Sequence, residues 1–352
     1  MSRESLILLR VAGGGVGAIL ILWAFGRFRI HLIQRSEFLL RSLFGLALII
    51  VTVDPNSVNI VTGMLSMERQ QFGRLISLLI ISNLVLWMLI FGLRSKDTRK
   101  SMQFDLLVRE LAKERFLAAG GLNGIKEITV IIPALDEADN LNVVLPIMPG
   151  VISGRQVGVL VVDDGSSDST VSVVKQHGHL VVSNLINRGG GAALRLGYDI
   201  AMAGGAQIVV TMDGDGQHLP EEIGGLLEPI LQDQADFVIG SRVLGSREND
   251  SVARWIGIHV FNGIINLLAG THITDCSNGF RAFRVSSLQK VLLLQDQFHT
   301  AELIIDAARK GVRIADVPVT VLRRHSGESK KGRSWSYGLN FSKTVLKTWL
   351  RK

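Results

Sequence analysis

Apolar positions fall in two regimes along the chain. Through the first 95 residues they run in blocks: residues 6–26 carry a single charge, Arg10, near one end; residues 38–53 form a shorter block closed by Asp54-Pro55; residues 75–93 carry no charge. Crossing a bilayer as a helix takes about 20 apolar residues, and a lone Arg near an end can extend its charge to the interface. The pattern predicts three membrane helices. Gly13 and Gly17, four positions apart, would let another helix approach the first closely and so permit self-association. Residues 95–117 then place Phe104, Leu107, Val108, Leu111 and Phe116 on one side of a charged helix, which would lie on a membrane or against the next domain. The stretch AAGGLNG at 118–124 is hinge-like.

From residue 128 the period changes. Short β-branched runs (ITVIIPA, VGVLVVDDG, HLVVS, QIVVTMDGD, ADFVIGSR) alternate with helices expected near 137–145, from 167, near 192–203 and after 220. This alternation predicts an α/β domain with a mainly parallel sheet and helices on both faces, in which ligands bind beyond the carboxyl ends of the strands. The expected division is an all-α transmembrane region at 1–94, a juxtamembrane helix and linker at 95–124, the α/β domain at 125–325 and a basic amphipathic segment at 326–352. In that last segment Trp335, Leu339, Val345, Leu346, Trp349 and Leu350 share one helical face, opposite Lys343, Lys347 and Arg351, the form of a helix lying in a bilayer interface.

Charge refines this picture. The net charge is +7, yet residues 323–352 alone hold nine Lys or Arg against one acid, so the rest of the chain is nearly neutral. The partner of such a tail is an anionic membrane face or a nucleic acid. Nucleic acid is disfavoured, because it would need aromatic stacking positions among the charges on an exposed sheet, and the sequence offers none. Arg27, Arg29 and Arg35 follow the first block, and Arg94, Lys96, Arg99 and Lys100 follow the third. By the positive-inside rule the first loop and everything after residue 94 are cytosolic, with the N-terminus on the opposite side. The single cysteine, Cys276, excludes an internal disulfide and a cysteine-built zinc site.

Candidate chemistry gathers at the strand ends. VVDDGSSDST (161–170) leads a buried strand into Asp163-Asp164-Gly165, two adjacent acids, one of which would face a nucleotide's base or ribose. NRGGGAALRLG (187–197) sets three glycines before a helix, where backbone N–H groups meet phosphate. A dinucleotide fingerprint is disfavoured: Leu194 occupies the place of the last glycine, and the acidic strand end precedes the glycine loop. In DGDGQHLP (213–220), alternation along an extended segment would turn Asp213, Asp215 and Gln217 the same way. That is a hard oxygen donor set suited to Mg²⁺ or Mn²⁺. An EF-hand fails, since His218 and Gly224 stand where it needs Gly and Glu.

The motifs VIIPALDEADN, VVDDGSSDST, NRGGGAALRLG, DGDGQHLPEE, GSR, DCSNGFRAF and RRHSGESK, in this order over about 126–331, resemble the family 2 glycosyltransferases of GT-A fold. The likeness is to the dolichol-phosphate mannosyltransferase branch, and the front region resembles a three-span membrane domain attached to some such enzymes. The resemblance implies a membrane-anchored, metal-dependent, inverting hexosyltransferase that moves a sugar from a cytosolic GDP- or UDP-linked donor onto a polyprenyl phosphate. It implies that Pro133, Ala134, Asp136, Glu137, Asp163, Asn187, Gly191, Asp213 and Gly214 border the nucleotide sugar, with Asp164 on its base or ribose. Asp213, Asp215 and Gln217 would hold Mg²⁺ or Mn²⁺, Arg242 and Arg281 would face phosphates, and Arg242, Arg324, Ser329 and Lys330 would receive the acceptor's phosphate. Three positions depart from the pattern: Asp136 stands for a frequent Asn, Gly190 for a frequent Lys and Asn278 for a usual Ser.

The acceptor decides how much acid–base machinery is needed. A phosphate monoester, with a second pKa of about 6, is already a nucleophile near neutrality. A sugar hydroxyl, the alternative acceptor in polysaccharide or glycolipid assembly, needs a general base. Glu302 is the base candidate, or an ordinary helix residue. A processive synthase is disfavoured, since Arg254-Trp255 lacks the preceding Gln, Ser251 standing in its place. A non-catalytic membrane scaffold would not require the Asp213/Asp215/Gln217 set.

Overall fold

The computed structural model describes residues 3–29, 35–64, 73–247, 252–294 and 299–324, together with Thr344, Val345, Thr348 and Trp349. The chain divides into two compact units, Met1–Lys100 and Ser101–Lys352. In the first lie helices α1 (Arg3–Arg29), α2 (Arg35–Val53) and α3 (Val58–Met64), and the start of α4 (Gly73–Ala118). Asp54 ends α2 as expected and accepts the N–H of Asn56 at 3.0 Å, which starts a short 3₁₀ turn at Pro55–Ser57. Among the described residues, one helix, Arg10–Arg29, is long and apolar enough to cross a membrane, and Arg41–Val53 is a shorter apolar helix. The expectation of three spans is met for one of them. The third apolar block does not end at residue 93; it continues without a break into the charged stretch as one helix of 46 residues.

Gly17 and Gly45 bring α1 and α2 into backbone contact. A Cβ on Gly17 would meet the Gly45 carbonyl oxygen at 2.6 Å, and one on Gly45 would meet that of Gly17 at 2.7 Å. A Cβ on Gly13 would collide with Thr52 Cγ2. The small-residue spacing read as permitting self-association is used inside the chain.

The second unit is built on a mixed sheet. Its strands are β1 (Ile128–Ala134), β2 (Val151–Ile152), β3 (Arg155–Asp163), β4 (Leu180–Ser183), β5 (Ile208–Thr211), β6 (Phe237–Arg247), β7 (Arg281–Arg284) and β8 (Ile314–Val321). The order is β2-β3-β1-β5-β7-β6-β8, with β4 also on β3. β4-β3-β1-β5 and β6-β8 pair in parallel. β7 runs antiparallel between β5 and β6, and β2 antiparallel to the start of β3. The sheet is mainly parallel, as expected, and the antiparallel pairs are confined to the short strands β7 and β2. β7 is four residues long and flanked by arginines, and β8 carries Pro318, so neither gives a clear strand period.

Alternate residues of each strand feed two cores. On one face Ile131, Leu160, Val162, Val209, Ile239 and Phe283 pack under α7 (Gly190–Ala203) and α11 (His299–Arg309). On the other, Val130, Ile132, Val161, Val210 and Val238 pack under α5 (Ala138–Val144) and α8 (Ile223–Leu231). Burial on both faces explains why β1 and β3 read as near-continuous apolar runs. The remaining helices are α6 (Thr170–Gln176), α9 (Val252–Ala269) and α10 (Val285–Leu288).

The end of α4 belongs to this unit. Val108, Ala112 and Phe116, on one helical face, are buried, the last two in the core beneath α7. Phe104, Leu107 and Leu111, expected on the same side as Val108 and Phe116, are exposed instead. Charge explains the rotation. Asp105 and Arg109 share the buried face because α7 offers them partners: Arg195 lies 3.2 Å from Asp105, and Asp199 3.4 Å from Arg109. Val345, expected on a bilayer-facing side of the tail, is also buried in this core. Arg309 Nη1 donates to the Thr348 carbonyl at 3.0 Å, so that part of the tail packs on α11.

Candidate active site

The loops after β1, β3, β4 and β5 meet at the carboxyl ends of the strands. Leaving β1, Asp136 takes a left-handed backbone, φ 49°. Its carboxylate accepts Ser167 N at 2.7 Å and Ser167 Oγ at 3.1 Å, while its own N–H donates to Ser166 Oγ at 2.9 Å. Glu137 N donates to Thr170 Oγ1 at 3.0 Å and Ala138 N to Asp168 Oδ2 at 3.1 Å. These bonds, with one from Asp168 N to Asp136 Oδ1 at 3.3 Å, stitch the loop after β1 to the loop after β3. Burial would raise the Asp168 carboxyl, but hydrogen bonds from Thr170 and Ala138 outweigh it and hold the group below the ordinary aspartate range. The expected helix from 167 starts at Thr170, because residues 166–168 are spent on this stitching.

The two acids ending β3 differ. Asp163 accepts the N–H of Ser166 at 2.9 Å and shapes its own turn. Asp164, expected on the nucleotide's base or ribose, is buried and turned to the main chain. It accepts Asn184 Nδ2 at 2.8 Å, Arg188 N at 3.0 Å and Gly189 N at 2.6 Å. Burial pushes its pKa up despite these bonds. Its work here is to hold the glycine loop at the start of α7, where Asn187 Oδ1 also accepts Gly189 N at 3.1 Å and Gly191 is buried in the first turn.

After β5 the chain does not stay extended. Residues 214 and 215 turn and Gly216 has φ 74°, so simple alternation does not align Asp213, Asp215 and Gln217. The Gln217 side-chain Nε2 donates to the Leu322 carbonyl at 2.9 Å, and Leu322 N donates to the Gln217 carbonyl at 2.8 Å, which ties this loop to the end of β8. Asp213 lies against Gly279, where an added Cβ would sit 2.6 Å from its Oδ1. Only glycine admits that carboxylate. Burial raises the pKa of Asp215, and the neighbouring Asp213 raises it further. Among the described residues no group of three or more His, Cys, Asp or Glu is gathered for a metal. Two close, mutually repelling carboxylates do fit a divalent cation whose other ligands come from substrate and water. Asp213 N donates to His218 Nδ1 at 3.3 Å, which leaves the ring proton on Nε2 to bond Asn278 Oδ1 at 2.9 Å.

The arginines have defined partners. Arg324 Nη2 lies 2.6 Å from Glu137 Oε1 and 3.8 Å from Asp215 Oδ2, joining the β1 loop, the β5 loop and the end of β8. Arg242 donates through Nε to Asp275 at 2.6 Å and through Nη2 to Ser277 Oγ at 3.0 Å. Asp275, fully buried, is a site residue that sequence reasoning missed. It opens the DCSNGFRAF motif, but nothing local marks its pairing with an arginine 33 residues away. Arg281, expected to face phosphate, is buried. Its guanidinium donates to the carbonyls of Asn278 at 2.7 Å and Cys276 at 2.9 Å, and burial lowers its pKa. It shapes the loop before β7. Glu302, the general-base candidate, is fully buried and accepts Leu294 N at 2.9 Å, which is a structural task. Pro133 and Ala134 end β1, and Gly214 lies beside the Pro133 carbonyl. Ser329 and Lys330 fall outside the described residues, as does most of 326–352.

A central sheet with its strand ends converging on paired acids, and with β7 reversed, is the GT-A arrangement of nucleotide-sugar transferases. Glucosyl-3-phosphoglycerate synthase from Mycobacterium tuberculosis, solved with Mn²⁺ and UDP, shares it with a TM-score of 0.50 at 21% identity, covering 65% of this chain and 81% of that one. The chain belongs to glycosyl transferase family 2, whose pattern matches residues 129–292, and it is a glycosyltransferase. It is 32% identical over 219 residues to a polyprenol monophosphomannose synthase of Mycolicibacterium smegmatis, covering 58% of this chain and 81% of the relative. It is 30% identical over 220 residues to a UDP-N-acetylglucosamine–dolichyl-phosphate N-acetylglucosaminyltransferase of Methanococcus voltae, covering 56% and 86%.

Proposed function

We propose that this glycosyltransferase moves a sugar from a nucleoside diphosphate onto a polyprenyl phosphate at the cytosolic face of a membrane that α1 anchors. The observation that carries the reading is the crowded carboxylate pair at the end of β5, with Asp213 seated against Gly279 and Asp215 facing Arg324. The polyprenyl phosphate acceptor is supported by what the relatives are named for.

Asp213 and Asp215, with the Gln217 side-chain oxygen, would hold Mg²⁺ or Mn²⁺. That ion would offset the charge developing on the departing diphosphate. The loops around Asp136, Asp164 and Asn187 hold the nucleotide end, and Arg324 stands where an anion meets the β5 loop. An acceptor phosphate oxygen bonds the anomeric carbon as the bond to the nucleoside diphosphate breaks, and that group leaves with the electron pair. No proton need be removed from a phosphate monoanion or dianion, which agrees with Glu302 being committed to Leu294. Direct attack inverts the anomeric centre.

The test is transfer by the full chain in detergent. Labelled UDP- and GDP-sugars are offered with Mn²⁺ and undecaprenyl phosphate. The expected result is metal-dependent label in the lipid phase that Asp215→Asn removes. Transfer to sugar hydroxyls with none to the lipid phosphate would overturn the reading.

A further inference from the structure

The glycine loop is gripped from a side that the family pattern does not cover. Residues 187–189 are fixed at the main chain by Asp164, which accepts the N–H groups of Arg188 and Gly189. Their outer side meets α4. Asp105 lies 3.5 Å from Arg188 Nη2 and 3.2 Å from Arg195 Nη2, and the Arg188 guanidinium lies 5.6 Å from the centroid of the Phe104 ring. The Arg188 and Arg195 side chains are 16% and 6% exposed and that of Asp105 14%, so water screens this trio weakly. Arg109 and Asp199 add a second pair one turn along each helix. The family match begins at residue 129, so Asp105 lies outside it.

We infer that Asp105 is a positioning residue for the nucleotide sugar: by holding Arg188 and Arg195 together it sets the 187–189 loop in the shape that receives the donor's diphosphate. The N-terminus of α7, which follows this loop, is an end where backbone N–H groups favour an anion. Without Asp105, Arg188 and Arg195 lose the carboxylate they share, and Arg188 carries the loop with it. The inference rests on the proposed donor site, and two readouts separate its failure from that of the reading.

In the full-length enzyme, Asp105→Asn is expected to speed hydrogen–deuterium exchange of the amides at 186–190. It should weaken Mn²⁺-dependent binding of UDP or GDP, whichever the wild type binds, by about tenfold, the loss of one charge-assisted contact. Donor KM should rise with kcat held, and Asp105→Glu should recover most of the loss, which a folding defect would not do. Unchanged exchange at 186–190 overturns the inference, as does faster exchange with nucleotide affinity held within about twofold. If the wild type binds neither nucleotide, the donor-site reading fails, and with it the inference, even where exchange shows that Asp105 holds the loop.

Discussion

The two sides of the active site are locked by opposite chemistry. On the donor side, carboxylates turn inward to main-chain N–H groups: Asp136 to Ser167, Asp163 to Ser166, Asp164 to Arg188 and Gly189. On the side of β6, β7 and β8, guanidiniums do the holding: Arg242 on Asp275, Arg281 on carbonyls, Arg324 on Glu137. A carboxylate that satisfies backbone donors fixes loop shape while its charge is spent. An arginine held by an acid keeps further N–H donors for an anion. In the proposed reaction the first arrangement would serve as a rigid cradle, and in the second Arg324, beside Asp215, would be the one to meet an anion.

The comparison can be broken where it is sharpest. Asp215→Asn should have the largest effect. The loss of several kcal/mol of charge stabilisation, at tenfold per about 1.4 kcal/mol, predicts a fall of ~100- to 1000-fold in transfer rate. Asp275→Ala should cost stability rather than act through the chemistry alone, since it strands the enclosed Arg242. Removing one partner of a buried pair costs about 3–5 kcal/mol, visible in chemical unfolding of the enzyme. Asp164→Ala should cost about 1–3 kcal/mol, by leaving the N–H groups of Arg188 and Gly189 unmet, and should loosen nucleotide binding. If Asp164→Ala exceeds Asp275→Ala in lost stability, the contrast between the two sides is reversed.

The smallest effect concerns pH. The Asp168 carboxyl sits below the ordinary aspartate range in the fold, so it contributes stability above the unfolded value that is lost as pH falls through the folded one. Asp168→Asn should therefore flatten the loss of stability on acidification below about pH 4. Unfolding curves across that range would show the same slope in both proteins if the stitching to Ala138 and Thr170 carried no charge-dependent part.

Separation along the chain decides what could be read from the sequence. A turn such as Asp163 with Ser166 is local, so DDGSSDST and NRGGG mark candidate strand ends before any fold is known. Distant pairs on either side were hidden: 31 residues separate Asp136 from Ser167, 33 separate Arg242 from Asp275 and 187 separate Arg324 from Glu137, and no local pattern carries such pairings. Arg281 was legible as a charge but not as a buried one. The rotation of the end of α4 was hidden for a related reason: reading Asp105 and Arg109 as a solvent face is sound until α7 supplies their counter-ions.

The meeting of Gly17 with Gly45 has a consequence for the company α1 keeps. Gly13 and Gly17 are taken up by α2, and what the helix offers outward is Val11, Ile19, Leu22 and Phe25 together with the open glycines Gly15 and Gly26. In a bilayer that surface has the bulk and chemistry of acyl chains. Those large side chains are matched to solvation by lipid.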